Sequence, residues 1–394
     1  MSLSGIELFA GGGGMLLGSA SSGVNHVAAI EWDRWACDTL ANNAQRDYPL
    51  VRNLDVIRGD VRDVNWRQFV GRNIDIISGG PPCQPFSLGG RARAADDPRD
   101  MFPAMTEAIA NVQPRAFVVE NVRGLTRTSF QDYFSYIRLR LEHPLLRERD
   151  GETWTEHLRR LEQVHTSSED DLHYNVVVKL VNAADYGVPQ HRHRVFIVGF
   201  RSDVQAQWSF PEPTHSGSSL LQSQLDGTYW SRHEVAGQQQ INVERATGDP
   251  SLNPWMTVRD AIGDLPKPSR SNANQSLNHV LQPGARSYPG HTGSPIDSPA
   301  KTLKAGAHGV PGGENMIRFP NGRIRYFTIR EAARMQTFPD DYALHGAWGE
   351  AMRQIGNAVP VRLAEQVMSS VANHLRFEGS AKVMKESTHS IKVA

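Results

Sequence analysis

The chain has 394 residues, with Lys+Arg and Asp+Glu equal at 42 each, so its formal net charge is +0. That balance excludes a polycation, and any nucleic-acid contact has to come from a local basic face. Two cysteines give no disulfide framework, and the 15 histidines lack the Cys/His spacing of a zinc site. No apolar run approaches membrane length and no signal peptide is recognised, so a cytoplasmic protein without metal or membrane contact is expected. The length suits one large or two ordinary domains, and no internal repeat divides it.

Gly5-Ile6-Glu7-Leu8-Phe9 reads as a first strand that ends in Ala10-Gly11-Gly12-Gly13-Gly14, and Met15 to Ala20 reads as the start of a helix. Strand, glycine turn and helix make a nucleotide-type site, because a backbone without side chains lets a ligand approach closely. An ordinary tight βα turn has the same local pattern. Val27 to Ile30 forms the next strand and ends in Glu31-Trp32-Asp33, an acid about twenty residues after the glycines, where dinucleotide folds hold a ribose. Trp32 offers a flat face for adenine, and Asp60, after Val56-Ile57-Arg58-Gly59, an acceptor for its amino group. These features alone also fit a hydride-transfer enzyme using NAD.

The stretch from Ile74 to Ser87 decides between them. Ile74-Asp75-Ile76-Ile77 is a buried-strand run, broken by Gly79-Gly80-Pro81-Pro82 and followed by Cys83. Prolines on both sides of the thiol suit neither a helix interior nor a central strand. A rigid turn at a strand's carboxyl end presents the thiol to the crevice where open α/β sheets bind ligands. Gly-Gly-Pro-Pro-Cys-Gln-Pro-Phe-Ser resembles the Pro-Cys motif of the DNA (cytosine-5) methyltransferases of bacterial restriction-modification type, whose cysteine attacks the target base. A dehydrogenase has no use for such a turn.

The resemblance extends along nearly the whole chain with its motifs in family order. Phe9 to Gly14 looks like the S-adenosylmethionine loop, and Glu31-Trp32 and Gly59-Asp60 fall where the next two motifs would lie. Carried over residue by residue, it implies cofactor contacts from Phe9, Gly11, Gly13, Gly14, Glu31, Trp32, Asp60, Val61, Pro82, Asn357 and Val359, with S-adenosylhomocysteine as product. Leu88 to Arg99 matches a lid that closes over DNA, and Gln84, Ser87, Arg91 and Arg93 become DNA-facing candidates. Arg99-Asp100-Met101 departs from the Arg-Gly often seen in relatives.

Ala116-Phe117-Val118-Val119 is another buried strand, ending in Glu120-Asn121-Val122, similar to the family's Glu-Asn-Val motif. A carboxyl at that place suits the chemistry: C6 of cytosine becomes electrophilic once N3 is protonated, and burial lifts a carboxyl's pKa toward neutrality. From Glu142 to Asp171 the chain turns polar, with Trp154 to Val164 helical, and is expected to be an inserted surface elaboration. Asn175 to Val178 resumes the sheet. Gln190-His191-Arg192-His193-Arg194 then precedes Val195-Phe196-Ile197-Val198, and alternation puts both arginines on one face. This resembles a motif whose arginines hold the cytosine O2 and nearby backbone groups, so the catalytic set is Cys83, Glu120, Arg192 and Arg194.

From about Ser202 to Phe327 the texture becomes loop-rich, although Trp208, Tyr229, Trp230, Trp255 and Tyr288 argue for a folded unit. It occupies the place of the family's target-recognition domain, with Thr302, Lys304, His308 and Arg323 as DNA-binding candidates. Thr328 followed by Glu331 is a helix cap, and Thr328 to Pro339 and Gln354 to Pro360 match the ninth and tenth family motifs. Leu363, Val367, Val371 and Leu375 form one apolar stripe beyond them.

The expected architecture is α/β: a Rossmann-like, S-adenosylmethionine-dependent methyltransferase domain with a mostly parallel sheet and helices on both faces, and a smaller loop-rich recognition domain. Residues 1–201 form the first catalytic segment, 202–327 the recognition domain, 328–376 the return, and 377–394 a polar tail. The implied partner is double-stranded DNA, with a cognate restriction endonuclease in the same system, and the chain is expected to be a monomer. The alternatives are a tRNA cytosine-5 methyltransferase of the same fold and a DNA-binding paralogue without catalysis.

Overall fold

The structure is a computed structural model that describes residues 2–82, 100–165, 172–204, 207–236, 251–270, 276–305 and 313–391. Cys83, Gln84, Ser87, Arg91, Arg93 and His308 lie outside the described residues.

Apolar strands alternating with amphipathic helices build the first half: β1 (Leu3–Leu8), α1 (Gly14–Ser21), β2 (Val24–Glu31), α2 (Arg34–Gln45), β3 (Asp55–Arg58), β4 (Ile76–Gly79), α3 (Phe102–Val112) and β5 (Ala116–Val122). Then come α4 (Gln131–Glu142), α5 (Trp154–His165), β6 (Tyr174–Asn182) and β7 (His193–Arg201). The seven strands form one sheet in the order β3-β2-β1-β4-β5-β7-β6. Its pairings are parallel except around β7, which runs antiparallel between β5 and β6. The order reverses between β1 and β4, so the loops after these two strands open a crevice at their carboxyl ends.

Both faces are covered. Phe102, Met105, Ile109, Tyr133 and Ile137 pack on one side with Ile6, Leu8 and Ile77. The segment expected as a surface elaboration joins that core through α5. Leu161 is fully buried there, and Trp154 meets Tyr133 edge-on with centroids 5.5 Å apart. The buried His157 places Nδ1 3.1 Å from the Tyr136 hydroxyl. Trp154, His157 and Leu161 recur at helical spacing, which is why α5 docks along one stripe.

The middle of the chain supplies β8 (His215–Ser216), α6 (Gly217–Leu225), α7 (Thr228–Arg232), β9 (Asn253–Pro254), α8 (Val258–Ile262), β10 (Ser294–Pro295), β11 (Met316–Arg318) and β12 (Ile324–Tyr326). They make a two-stranded β8-β9 sheet and a three-stranded β10-β11-β12 sheet. This unit is rooted in the catalytic core, since Ile296, Ala300, Leu303, Ile317 and Phe327 share a cluster with Leu16, Leu17 and Leu40. At its other margin Trp208 and Phe210 pack in the core under the last helix, and Trp208 Nε1 donates to Ser370 Oγ at 2.9 Å.

The return consists of α9 (Ile329–Met335), α10 (Trp348–Asn357) and α11 (Val361–Ile391). Thr328 and Glu331 form a reciprocal capping box at α9. Leu363, Val367, Val371 and Leu375 are fully buried on one stripe of α11. The backbone of α11 stays helical to Ile391, where the sequence suggested a tail after Phe377. On one side of α1, Gly14 abuts Ala358 and Val359, just ahead of α11, and Gly18 abuts the first turn of α11. A Cβ on Gly18 would meet the Val361 carbonyl oxygen at 2.5 Å, so bare Cα atoms set this close helix contact.

Between sheet and helices lies a buried polar trio. Ser78 Oγ donates to Glu7, whose carboxylate is 3.9 Å from His26 Nε2. Burial pushes the Glu7 carboxyl up from 4.5 to about 8 and the His26 imidazole down from 6.5 to about 4, so both are neutral at pH 7. Because the folded protein holds the Glu7 proton more tightly, its contribution is full below pH 4.5 and is lost as pH rises through about 8. For His26 the sign reverses, and stability is lost as pH falls from 6.5 through about 4. Glu7→Gln should therefore raise the thermal midpoint increasingly over wild type from pH 5 to about 8 and then level off. Thermal melts across that range check it, and a pH-independent difference would count against a buried neutral Glu7.

Candidate active site

The crevice is assembled from strand ends. After β1 the chain turns through Phe9 and Gly11 at φ 54 and 53 and through Gly13 at φ 92, which is the left-handed N-cap of α1. No side chain caps α1, so its first N–H groups stay open to a ligand at the positive end of the helix dipole. Glu31, at the end of β2, holds the loop in shape. One carboxylate oxygen accepts from Gly11 N–H at 2.8 Å, and the other accepts from Trp32 and Asp33 N–H at 2.9 and 2.8 Å. Three of about four acceptor positions are thus used, leaving room for one further donor. Burial pushes the Glu31 carboxyl up, and those backbone donors oppose it.

Trp32 is 72 % exposed and presents its ring beside this loop. Asp60, expected to face an adenine amino group, is held by Arg62, whose Nε donates at 3.0 Å. Val61 points into the core instead of the crevice. The return segment braces the loop from behind. Tyr342 Oη donates to Gly12 O at 3.1 Å, and the Gln354 side chain lies 3.3 Å from where a Gly12 Cβ would stand. The Val359 carbonyl abuts Gly14, and Asn357 is exposed at the end of α10. Tyr342 was not anticipated, because it lies between the recognised motifs and nothing in its local pattern marks it.

The chemical side forms where β4, β5 and β7 end. Asn121 Nδ2 donates to Pro81 O at 3.0 Å and so fixes the Gly79–Pro82 turn to β5. Glu120 is buried and lies over the bare Cα of Gly80, where a Cβ would come within 3.1 Å of Oε2. In the antiparallel register Arg194 stands opposite Val122, which makes Glu120 its diagonal neighbour on the same face. Arg194 Nε is 2.6 Å from Glu120 Oε1, an ion pair without the alignment of a good hydrogen bond. Burial raises the Glu120 carboxyl, Arg194 and Arg192 pull it down, and burial prevails.

Arg192, expected with Arg194 to hold the cytosine O2 and nearby backbone groups, is committed to backbone. It is fully buried, and its two terminal nitrogens donate to Leu303 O at 3.2 Å and Gly356 O at 2.8 Å. It contributes charge to Glu120 but clamps backbone. Gln190 acts in the same way: Leu303 N–H donates to its Oε1 at 2.8 Å, and its Nε2 donates to Gln336 Oε1 at 3.2 Å. Thr302, expected to face DNA, donates its hydroxyl to His191 O at 2.6 Å. Lys304 pairs with Glu314 at 2.8 Å, and Arg323 lies 5.3 Å over the Phe319 ring. Among the described residues no group of three or more His, Cys, Asp or Glu could hold a metal ion.

The family model for C-5 cytosine-specific DNA methylases matches residues 3–143 and 151–373. This chain belongs to that family. It is 30% identical to Type II methyltransferase M.AplI of Arthrospira platensis over 373 residues, covering 93% of this chain and 84% of that protein. It is 29% identical to M.NgoMIV of Neisseria gonorrhoeae over 379 residues, covering 96% and 100%. A prophage-encoded E. coli protein described as a DNA modification methyltransferase shares the fold at TM-score 0.58 and 23% identity, covering 95% of this chain and 100% of that one. The S. pombe Dnmt2 methyltransferase matches at TM-score 0.53 and 17% identity, covering 95% and 98%. The chain is therefore a C-5 cytosine DNA methyltransferase of Type II restriction-modification style, from a family dependent on S-adenosylmethionine. No helix among the described residues is long and apolar enough to cross a membrane.

The residues fit that cofactor: open N–H groups at α1, the exposed Trp32 ring and a buried carboxylate with one free acceptor position. Glu31→Ala should weaken S-adenosylmethionine binding by about 1–3 kcal/mol, the scale of a lost charged hydrogen bond. It should also lower the thermal midpoint of the ligand-free protein, because three backbone N–H groups lose their acceptor. Calorimetry showing unchanged affinity in a folded variant would remove Glu31 from the cofactor site.

Proposed function

We propose that this protein methylates cytosine in duplex DNA by drawing the target base out of the helix and attacking C6 with the Cys83 thiolate. The observation that carries the reading is the Glu120 carboxyl, buried at the end of β5 against the turn that leads into Cys83 and paired with Arg194. A stacked base cannot be reached at its ring carbons, so extrusion is required at a cost of a few kcal/mol. Burial keeps the Glu120 proton available for cytosine N3. Once it is given up, Arg194 stabilises the carboxylate left behind. As N3 is protonated, the thiolate adds to C6 and electron density moves to C5. Bound S-adenosylmethionine supplies an electrophilic methyl group to C5, placed by the loop before α1 and by Trp32. Loss of the C5 proton and expulsion of the thiolate then restore the ring.

Cys37 is no rival nucleophile. It is buried, donates to Glu31 O at 3.3 Å, and burial pushes its thiol up to about 12. Base readout is assigned to the 202–327 segment, where Arg318 and Arg323 are exposed around the β11–β12 turn. A single chain suffices for this chemistry, so we assign a monomer, with a cognate endonuclease cutting the same sequence when it is unmethylated.

Glu120→Gln keeps the shape but has no acidic proton, so methyl transfer should slow by about 10²–10⁴ while duplex binding is kept. A single-turnover rate near wild type would place N3 activation elsewhere.

Duplex with 5-fluorocytosine at the target tests the adduct directly, because elimination needs a proton at C5 and F⁺ cannot leave. With cofactor present, wild type and Cys37→Ser should form a complex that survives boiling in detergent, and Cys83→Ser should form none. A trapped band without the Cys83 thiol would overturn the mechanism.

A further inference from the structure

A polar cavity of about 330 Å³ opens where the 202–327 segment meets the first turn of α11. It is lined by His215, Arg232, Asn253, Pro254, Met256 and Arg362, and none of these takes part in the methyl-transfer chemistry. Its groups come from separate parts of the chain: β8 and β9 bring His215 and Asn253, α7 brings Arg232, and α11 brings Arg362.

Their placement is enforced. The Arg362 N–H donates to Thr337 Oγ1 at 2.8 Å, and Thr337 sits at φ 57, a left-handed conformation that is costly for a β-branched residue. Gly187 (φ +77) lets the His215 ring and the Arg362 guanidinium converge, since a Cβ there would lie 2.7 Å from His215 Cε1 and 3.0 Å from Arg362 Cζ. His215 is 7% exposed, and its Nδ1 lies 2.8 Å from Thr214 Oγ1. Its ring lines the cavity wall. In the tautomer where the Thr214 hydroxyl donates to Nδ1, the ring carries its proton on Nε2 and offers it to a ligand. Burial first and the Arg362 charge second lower the His215 pKa.

The charge balance is one-sided. Arg232 is paired with Asp260 at 2.6 Å, whereas the Arg362 guanidinium has no partner among the described residues. No acidic side chain lines the cavity. The Arg362 guanidinium, Arg232 beside its Asp260 partner and the His215 imidazole around one space match the oxygens of a phosphate. The volume exceeds that of a bare phosphate and leaves room for an attached sugar.

We propose that this cavity is a phosphate-ester site at the seam between the recognition segment and the catalytic domain. The ester is either a backbone phosphate of the bound duplex or a free nucleotide phosphate, and the duplex source rests on the function proposed above. The test uses the full chain with Arg362→Gln and Arg362→Lys. Arg362 is exposed and unpartnered, so neither change threatens the fold. If the duplex is the source, Arg362→Gln should weaken binding several-fold for every DNA sequence. The slope of log affinity against log salt should fall by about one. Arg362→Lys should keep the slope, and single-turnover methylation at saturating duplex should match wild type.

If a free phosphate is the source, inorganic phosphate should raise the thermal midpoint of wild type, relative to chloride at equal ionic strength, and not that of Arg362→Gln. The salt slope would then be unchanged. An unchanged slope together with no phosphate-dependent shift overturns the site. A wild-type chain that shows the phosphate-dependent shift without methylating duplex would sustain the site and sink the proposed function instead.

Discussion

One buried guanidinium holds three distant stretches of this chain together. Arg192, just before β7, donates to the carbonyl of Leu303 from the 202–327 segment and to that of Gly356 from the end of α10. Gln190 and Gln336 extend the same network, and Gln336 Nε2 donates to Ile355 O at 2.6 Å. Buried polar groups of this kind are costly when left unpaired, so each stretch is defined by the presence of the others. The return segment that carries Gly356 also carries Tyr342, Gln354 and Val359, which brace the glycine loop before α1. Both sides of the crevice therefore depend on the one clamp.

Burial is the second organising force. At Glu120 it raises the carboxyl's pKa against the pull of Arg194 and Arg192. At Glu31 the same desolvation is opposed by three backbone N–H groups, and the carboxylate becomes a structural acceptor with one position to spare. Two glutamates, on strands β2 and β5 that flank the β1–β4 pair, thus meet different surroundings: backbone N–H groups at Glu31 and guanidinium groups at Glu120.

Much of the fold was legible because its signals are local. The apolar runs at Ile6, Ile30, Ile77 and Val118 are strands in a mostly parallel sheet, and the Thr328–Glu331 cap and the Leu363–Leu375 stripe are as the pattern implies. The part played by residues 142–171 was less legible, because a polar composition hides the single stripe of Trp154, His157 and Leu161 that docks α5. Candidate site residues separated in the same way. Glu31 and Glu120 come to their strand ends as their positions imply, whereas Val61 turns into the core and Asp60 is taken by Arg62. Residue type and spacing cannot show which neighbour claims a side chain.

Family, motif order and the identity of the chemical groups can be read along the chain, because Gly-Gly-Pro-Pro-Cys, Glu-Asn-Val and Gln-x-Arg-x-Arg each carry their chemistry within a few residues. How those groups act on one another comes from the fold. It commits Arg192 to the carbonyls of Leu303 and Gly356 and the Thr302 hydroxyl to His191 O, and it sets Arg194 beside Glu120. It also brought His215 and Arg362 together around Gly187, although 147 residues separate them in the chain. Such pairings arise from the antiparallel register of β7 and the crossing of separate segments, and neither is encoded at any single position.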